Sequence, residues 1–525
     1  MPAEHRSRFK FILPVLYALL PALIMSPALA AEATSRLVVA VSSPLDTLDP
    51  HVVLDTRRSD VRVMLYDGLF RWQDGPVRIS PWLAQSYTAS EDGRTFRFTL
   101  RGDARFHDGR EVRASDVVYS IERILALKRG LAPLLAGLIS PGSTKAIDAG
   151  TVEFSLSKPS PLFLTLLPEI AIVNAELLKA NEVNNDWGRA WLQANEAGSG
   201  TYAYKARTPA GAIVMARFAG HWSKEAAERP IEEVELRPLL DPIERVESLI
   251  RGDVQVLQGN LLPDQVKRLR DAKDIAVIDA DSPRTFLGLL HTGRDLLKVP
   301  AYRRALAQAF DADRFIASTL GPGATPLAIP VPPSFASAPA GLARPHFDLA
   351  AAADQIAKLK LPARELVIGA IAGDPHSTRA ALIMLEGLVK LGVPSRIVSE
   401  PWPAVVGRLR DEKQMYDILF LWRGARYLDA NNWLGELYDC DLFGSGNASW
   451  YCNRDADRLI KEARGTVDPR VRRQTFEKAA AIVAEDQASL FIASARRTIA
   501  HAKRVKGLRF TPVGEAIDPH LATID

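Results

Sequence analysis

The chain has 525 residues, with 66 Lys and Arg against 62 Asp and Glu, so its formal net charge is +4 at pH 7. Hydrophobic residues make up 47% and charged residues 24%, a globular balance that excludes disordered, collagen-like and coiled-coil chains. So small a charge on so long a chain is not a nucleic-acid-binding signature. Two Cys exclude a disulfide scaffold and a Cys-rich metal protein. The length predicts about two to four domains.

The first thirty residues have the organisation of a secretory signal peptide. Three basic residues within 1–10 precede an apolar run over 11–25, and a small-residue Ala-Leu-Ala cleavage pattern follows at 28–30. The run is shorter than the roughly 20 residues that span a bilayer, which favours a cleaved signal over a signal anchor. No Cys lies near the cleavage pattern, which argues against lipoprotein anchoring. We therefore expect residues 1–30 to be removed from a soluble, exported protein.

From residue 36 onward, strand and helix patterns alternate. Short apolar or alternating runs predict strands at 37–41, 95–100, 152–156, 213–218 and 234–239. Helical periodicity predicts helices capped by Ser115-Asp116 ahead of 117–125, at 243–252, at 302–320, and at 471–487 after Asp468-Pro469. Residues 321–341 are rich in Pro and Gly without periodicity, which predicts a long ordered loop on the surface. The chain is therefore predicted to be mixed α/β, with several domains.

The sequence carries none of the common catalytic or nucleotide-binding motifs. G-x-G-x-x-G after a strand, G-x-x-x-x-G-K-[ST], H-E-x-x-H and G-x-S-x-G are all missing. The nine His are scattered, without the spacing of metal ligands on one helix. His107 and Asp108 are adjacent, and the ordering of a turn is a simpler interpretation than a catalytic dyad. Nothing in the sequence requires an enzyme, a cofactor or a metal.

Four blocks of the sequence carry a resemblance to a known family. Residues 81–124, PWLAQSYTASEDGRTFRFTLRGDARFHDGREVRASDVVYSIERI, closely resemble the signature of the extracellular solute-binding proteins, family 5. The resemblance continues, in the same order, through 198–206 with 216–222, through 287–316 and through 447–464. The family contains the dipeptide-, oligopeptide- and nickel-type receptors of ABC importers, and this chain is most similar to the dipeptide-binding branch.

The resemblance implies an α/β fold of the type II periplasmic-binding-protein kind. Such a protein has two lobes joined by a hinge, with a third subdomain inserted in the first lobe. After the signal peptide at 1–30, it implies a discontinuous lobe I at 36–80, 195–284 and 496–525, an inserted subdomain at 81–194 and lobe II at 285–495. Lobes of this kind close over a ligand by a hinge motion.

Cys440 and Cys452 occupy a stretch where the dipeptide-binding branch carries a Cys pair. Together with export to an oxidising compartment, the resemblance implies a disulfide between them. Two free, separately buried thiols are the alternative. No metal site is expected from these two Cys, because no His lies nearby.

The resemblance also implies a ligand pocket on lobe II. Peptide-binding members place a Trp on each of two segments, which here contain Trp402 and Trp422; core packing is the alternative for both. The acid that pairs with the ligand's α-amine in the family is missing, because Ala425 and Arg426 stand in its place. An Arg there favours a carboxylate or another anionic group. The alternative is that Arg426 points to solvent and Asp429, the nearest acid, turns into the pocket.

Several further residues are weaker candidates. Arg379 falls where dipeptide-type members place an Arg for the ligand carboxylate; Thr378 is the alternative match, and a solvated Arg the alternative interpretation. Arg57 and Arg58 lie in a lobe-I loop that often faces the cleft. His291 stands where many members have Asn, and a structural role is favoured over a metal ligand.

The sequence therefore predicts the periplasmic substrate-binding component of an ABC importer in a Gram-negative cell. It would capture peptides or peptide-like solutes between two lobes and deliver them to an inner-membrane permease and its ATPase. We expect a monomer without catalytic residues, cofactor, metal or nucleic-acid partner. A non-peptide anionic solute, such as an opine-like or N-blocked conjugate, is the alternative cargo. Two rival functions are an exported hydrolase and a receptor that signals through a membrane sensor.

Overall fold

The computed structural model describes residues 35–52, 59–73, 78–223, 230–280, 283–511 and 513–525. The predicted signal peptide and the candidates Arg57 and Arg58 lie outside these ranges. Within these ranges, no helix combines the length and the apolar character needed to cross a bilayer.

Short strands are distributed along the whole described chain. In chain order they are β1 (Arg36–Val41), β2 (Phe70–Trp72), β3 (Ile79–Pro81), β4 (Ala84–Ala89), β5 (Thr95–Leu100), β6 (Thr144–Ala146), β7 (Thr151–Ser155), β8 (Tyr202–Arg207), β9 (Ile213–Arg217), β10 (Glu233–Pro238), β11 (Val256–Leu257), β12 (Ile275–Ala280), β13 (Arg284–Leu290), β14 (Thr325–Pro326), β15 (Leu366–Ile371), β16 (Ser395–Glu400), β17 (Ile418–Gly424), β18 (Ser489–Ser494), β19 (Arg497–Ala502), β20 (Val505–Lys506), β21 (Arg509–Phe510), β22 (Ile517–Asp518) and β23 (Thr523–Ile524).

Helices separate most of these strands. They are α1 (Ser59–Leu65), α2 (Ala114–Leu127), α3 (Ala132–Ala136), α4 (Phe163–Leu166), α5 (Ala175–Ala180), α6 (Pro242–Arg251), α7 (Pro263–Asp271), α8 (Pro300–Ala309), α9 (Ala312–Phe315), α10 (Leu349–Leu359), α11 (Pro375–Lys390), α12 (Trp402–Leu409), α13 (Leu434–Tyr438), α14 (Arg454–Gly465) and α15 (Pro469–Glu485). Single 3₁₀ turns occur at Leu167–Glu169, Trp191–Gln193, Asp295–Lys298 and Ala430–Asn432, and a π turn at Ile316–Leu320.

A seven-stranded sheet, in the order β12-β19-β11-β1-β10-β9-β8, forms the first lobe. Its strand β1 is apolar from Leu37 onward because hydrophobic clusters cover both of its faces. Leu37, Val39 and Val41 join the cluster on one face. Val38 and Ala40 join the cluster on the other.

A six-stranded sheet, in the order β14-β18-β13-β17-β15-β16, forms the second lobe. Strand β13, with the sequence RTFLGLL, is buried along its whole length and pairs antiparallel with both β17 and β18. The chain passes between the two sheets twice, once from β12 to β13 and again from β18 to β19. The lobes are therefore joined by two adjacent crossings.

A four-stranded antiparallel sheet, β4-β5-β7-β6, lies in the chain between β1 and β8 of the first lobe. Its inner face packs against α2, α3 and α4 around aromatic side chains, among them Phe98, Phe154 and Phe163. These residues belong to one hydrophobic cluster, which also includes Trp222 and Tyr427. The exact bounds given above for the lobes and the inserted subdomain stay a prediction.

Most of the predicted elements are confirmed. Strands β1, β5, β7, β9 and β10 and helix α6 form within one or two residues of the predicted bounds. Helix α15 opens after Asp468, whose side chain accepts hydrogen bonds from the amides of Arg470 and Val471. Helix α2 begins at Ala114, ahead of the predicted Ser115-Asp116 cap. Its N-cap is Arg113, and Asp116 is the third helical residue, which accepts the Arg113 amide at 2.9 Å.

One prediction of local structure is wrong and another holds only in part. The single helix at 302–320 is interrupted at Phe310, which is extended and buried, and Asp311 caps a new helix by accepting the Arg314 amide. The Pro/Gly-rich segment 321–341 is an ordered loop with many exposed residues, as predicted, but part of it is not on the surface. Its side chains Leu327, Ile329 and Val331 are buried in the core of the second lobe. In both cases, tertiary burial of apolar side chains overrides the local pattern.

Candidate ligand-binding site

A cavity of about 340 Å³ lies where the two lobes meet, and we call it the hinge cavity. Its lining includes Asn260, Leu261 and Val266 from the first lobe, Leu320, His376 and Trp422 from the second, and Arg284 and Arg496 from the two crossings. A second cavity of about 50 Å³ shares Asn260, Arg284 and Trp422 with it and extends to Ser42, Asp374 and Glu515. A molecule held here would touch both lobes.

Two polar residues of these cavities follow the carboxyl ends of parallel strands. Asn260 follows β11, which is parallel to β1, and Asp374 follows β15, which is parallel to β16 and β17. Open α/β sheets characteristically bind ligands at this end of their strands. The side chain of Asp374 also caps α11, because it accepts the amide of His376 at 3.1 Å.

A histidine links the aromatic wall of the cavity to the opposite lobe. The indole Nε1 of Trp422 donates to His376 Nδ1 at 3.0 Å, and His376 Nε2 lies 2.9 Å from the carbonyl oxygen of Leu261. Because Nδ1 is the acceptor, Nε2 carries the proton and donates to that carbonyl. Burial lowers the pKa of His376 to about 4, so the imidazole is neutral at physiological pH.

Arg284 is the first residue of β13 and lies at the point where the two crossings meet. Its guanidinium stacks 4.0 Å from the centre of the Trp422 ring. Its Nε and Nη2 donate to the carbonyl oxygens of Ala495 and Arg496 at 3.1 and 2.7 Å, and its Nη1 donates to Asn260 Oδ1 at 3.0 Å. Burial lowers the pKa of Arg284 to about 10, which leaves it a cation at neutral pH.

Two more hydrogen bonds cross directly from one lobe to the other. Arg245, on α6 of the first lobe, donates to the carbonyl oxygen of Gly373 at 2.9 Å. Asn260 Nδ2 donates to Asp374 Oδ2 at 3.0 Å. With the histidine contact, these bonds hold the lobes together around the hinge cavity.

Of the lobe-II candidates, Arg426 and Asp429 lie in ion pairs and neither lines the hinge cavity. The carboxylate of Asp429 accepts two hydrogen bonds from Arg472, at 2.8 and 2.9 Å. Arg426 pairs with the buried Glu436, which Arg423 also contacts. Their roles in ligand binding stay a prediction.

Trp402 and Trp422 contact opposite faces of the six-stranded sheet. Trp422 packs with the cluster that contains Phe420, whereas Trp402, half-buried at the start of α12, packs with the cluster that contains Leu421. Of the two, only Trp422 lines the hinge cavity. Arg379 is exposed near the start of α11 and does not line it either.

The disulfide between Cys440 and Cys452 is present, with the two Cα atoms 5.1 Å apart. His291 is buried, stacks on the Trp450 ring and lies with Nε2 2.8 Å from the Glu412 carbonyl, an arrangement that is structural. Over the described ranges, no group of three or more His, Cys, Asp or Glu is placed to hold a metal ion.

His107 and Asp108 take part in separate structural contacts. His107 Nδ1 lies 2.7 Å from the Glu196 carboxylate, and its Nε2 lies 2.9 Å from the Gly200 carbonyl oxygen. Asp108 accepts the Arg110 amide at 3.0 Å and so orders the turn, as predicted.

Sequence reasoning missed Arg284, His376 and Asn260. A signal for one of them exists, because Arg284 opens an otherwise apolar strand that is too hydrophobic to be exposed. A charged residue at the head of such a strand indicates a buried partner or a site. For His376 and Asn260, no local pattern marks a special role.

Two α/β lobes, joined by two crossings and enclosing a cavity at their junction, define a bilobal solute-binding protein. The family model described as "Bacterial extracellular solute-binding proteins, family 5 Middle" matches residues 78–445. The chain belongs to this family.

Curated relatives and solved structures share this architecture over nearly the full chain. The probable D,D-dipeptide-binding periplasmic protein DdpA of Escherichia coli is 27% identical over 515 residues, covering 96% of this chain and 97% of that protein. A Pseudoalteromonas dipeptide-binding protein solved with Met-Leu has a TM-score of 0.84 at 21% identity, over 93% of this chain and 100% of that one. AgaA of A. tumefaciens, solved with agropinic acid, has a TM-score of 0.81 at 23% identity, over 93% of this chain and 99% of that chain.

Proposed function

We propose that this protein binds peptides or peptide-like solutes between its two lobes and delivers them to the permease and ATPase of an ABC importer. The observation that carries the proposal is the hinge cavity, whose walls come from both lobes and combine an aromatic face with hydrogen-bonding groups. Family membership and the peptide ligands named for the relatives support the same conclusion.

The proposed mechanism is closure of the lobes around the solute. A ligand in the hinge cavity gains contacts from both lobes only when they are together, so it selects the closed state. The hydrogen bonds from Arg245 to Gly373 and from Asn260 to Asp374 join the two lobes and would favour the closed state. The permease would then recognise the closed form. No covalent step is part of this mechanism.

Several finer features belong to the same proposal. Removal of residues 1–30 would leave the mature protein in the periplasm. Lobe I would comprise 36–80, 195–284 and 496–525, the inserted subdomain 81–194, and lobe II 285–495. Trp422 would supply the aromatic contact to the ligand, while contributions from Trp402, Arg379, Arg426 and Asp429 stay predictions.

A non-peptide anionic solute is the second candidate cargo. The observation in its favour is the buried cation Arg284, whose hydrogen-bond acceptors within the described part of the chain are all neutral. AgaA, which shares the fold, was solved with agropinic acid.

Native mass spectrometry of protein purified from periplasm tests the proposal. We expect bound short peptides, released on denaturation and unchanged in sequence after prolonged incubation with the protein. A Trp422→Ala variant should return less ligand, whereas Trp450→Ala, whose ring stacks on His291 outside the cavity, should return the wild-type amount. A single non-peptide species would favour the second candidate, and shortening of the peptides would favour a hydrolase.

A further inference from the structure

Arg284 is a buried cation that does not use all of its donors. A guanidinium has five N–H groups. Three of them donate, to two backbone carbonyls and to the side-chain oxygen of Asn260, all of which are neutral acceptors. The residue is 4% exposed and lines both cavities at the lobe junction. One N–H group on each of Nη1 and Nη2 therefore remains for another acceptor.

The two acids that line the smaller cavity together with Arg284 are held by other groups. Glu515 and Asp374 are the carboxylates whose charge acts on it. Glu515 pairs with Arg497 at 2.9 Å, and Asp374 accepts a hydrogen bond from Asn260 at 3.0 Å. Within the described residues, Arg284 has no direct carboxylate partner.

A buried charge without a counter-ion destabilises a protein, so such a group usually has an opposite charge supplied to it. The stacking of Arg284 on Trp422 fixes the plane of the guanidinium and so the directions of its remaining N–H groups. The best partner for these groups is a carboxylate, which accepts two parallel hydrogen bonds.

The rest of the hinge cavity defines what is attached to the carboxylate. Leu261, Pro263, Val266 and Leu320 line it with apolar side chains. The charged pair on its wall, Arg270 and Asp279, is already joined at 3.1 Å. The site therefore suits a carboxylate on an apolar body of a few residues in size.

We propose that Arg284 is the anchor for a carboxylate of the cargo, with Trp422 and the apolar wall holding the adjoining group. This inference rests on the proposed solute-binding function and narrows its substrate class to solutes with a free carboxylate. The C-terminal carboxylate of a short peptide and the acid of an opine-like conjugate share this chemistry.

The test uses ligand-stripped full-length protein and two matched probe pools. The first is a set of Leu-containing dipeptides with free C-terminal carboxylates, compared with the same dipeptides as C-terminal amides. The second is a set of N-carboxyalkyl amino acids, compared with their methyl esters. Dissociation constants are measured by isothermal titration calorimetry. We expect wild type to bind free acids about 10- to 100-fold more tightly than blocked forms, the range of one charged hydrogen-bonded contact.

Three variants assign the selectivity to one residue. Arg284→Gln should bind acid and blocked forms about equally, and Arg284→Lys should keep part of the selectivity because it keeps a charge but not the planar fork. Arg268→Gln is the matched control, since this Arg lies on helix α7, is paired with Glu247 and does not line the cavity. It should keep wild-type selectivity. If Arg284→Gln does not fold, the anchor is still tested by comparing wild type with Arg284→Lys. The quantity compared is the ratio of the dissociation constants for the free-acid and amide forms of the same peptide.

The outcomes separate the inference from the proposed function. If wild type binds peptides but does not distinguish acids from amides, the carboxylate anchor is wrong and peptide binding stands. The same holds if Arg284→Gln keeps the full selectivity. Arg284-dependent selectivity confined to the second pool would support the anchor and overturn the peptide cargo. Binding of neither pool would overturn both.

Discussion

The neutral imidazole of His376 shows how one side chain can connect the ligand wall to the opposite lobe. It accepts from the Trp422 indole and donates to the Leu261 carbonyl, so both of its nitrogens are used. The orientation of Trp422 in the cavity is therefore set by a residue that itself contacts the other lobe.

Replacing His376 by Phe should lower the free energy of unfolding by about 2–4 kcal/mol, because two buried polar groups lose their partners. His376→Gln should lose clearly less, since an amide can both accept from Trp422 and donate to Leu261. Urea unfolding followed by far-UV circular dichroism measures both. Equal losses for the two variants would show that the histidine only fills space.

Buried titrating residues predict that the protein loses stability in mild acid. Burial lowers the pKa values of His51, His376 and His520 to about 4 in the folded state. Between about pH 4 and the ordinary His pKa near 6.5, these His bind more protons in the unfolded chain than in the folded one. The free energy of unfolding therefore falls as the pH falls. Asp60 and His107 act in the opposite direction, because burial raises the pKa of Asp60 to about 6 and, against the effect of burial, the Glu196 carboxylate raises the pKa of His107. Three groups outweigh these two.

The expected slope is about 1.4 kcal/mol per pH unit for each group inside its window. We expect a lower urea midpoint at pH 5 than at pH 7. His51→Gln should flatten this dependence, whereas Asp60→Asn should steepen it by removing one of the opposing groups. A midpoint unchanged between pH 7 and pH 5 would contradict the prediction.

At the scale of elements, the sequence predicts a strand or helix correctly where the order of apolar and polar residues matches that element's own burial or capping pattern. Strand β1 and helix α15 are of this kind, since one is continuously apolar and the other begins at an Asp-Pro cap. The pattern at 302–320 is helical throughout, yet the chain turns at Phe310 to bury that ring, which only the packed second lobe determines.

The hinge cavity could not be predicted from the sequence for a related reason. The partners of Arg284 include Asn260, 24 residues away, and Ala495, 211 residues away. Such separations carry no periodicity, and the long-range pairing of β13 with β18 brings these residues together. Trp422 could be proposed as a ligand-binding residue because the family resemblance places a Trp in this segment. Its hydrogen bond to His376, however, depends on the packing of α11 against β17.

The disulfide is an element whose contribution can be isolated. It joins Cys440 and Cys452, which lie just after α13 and just before α14. Closing a loop of this size should stabilise the folded protein by about 3 kcal/mol on the chain-entropy argument.

A Cys440→Ser/Cys452→Ser variant should therefore have a lower free energy of unfolding by about that amount. Wild type unfolded in reducing buffer should approach the variant, and the variant should not respond to the reductant. If reductant lowers the stability of both equally, the disulfide is not the cause.

At the scale of the whole molecule, a small number of hydrogen bonds joins the lobes around the hinge cavity. Three of them are the Asn260 bond to Asp374, the Arg245 bond to Gly373 and the His376 bond to Leu261. A typical intramolecular hydrogen bond contributes about 1 kcal/mol net. Bonds of this size bias an equilibrium between open and closed forms without fixing it, so a ligand of modest differential affinity can shift it.

Removing one of these bonds should open the ligand-free protein. Asn260→Ala loses the contact with Asp374, and we expect a larger radius of gyration by small-angle X-ray scattering and ligand affinity lower by about 5- to 10-fold. Gln265→Ala is the matched control, because this side chain caps the nearby α7 by accepting the Leu262 amide at 3.0 Å, within the first lobe. It should leave both quantities unchanged. If Asn260→Ala binds more weakly while its scattering matches wild type, the residue acts on the ligand site through Arg284 and not through closure. If both quantities stay at wild-type values, the cross-lobe bond contributes nothing to the closed state.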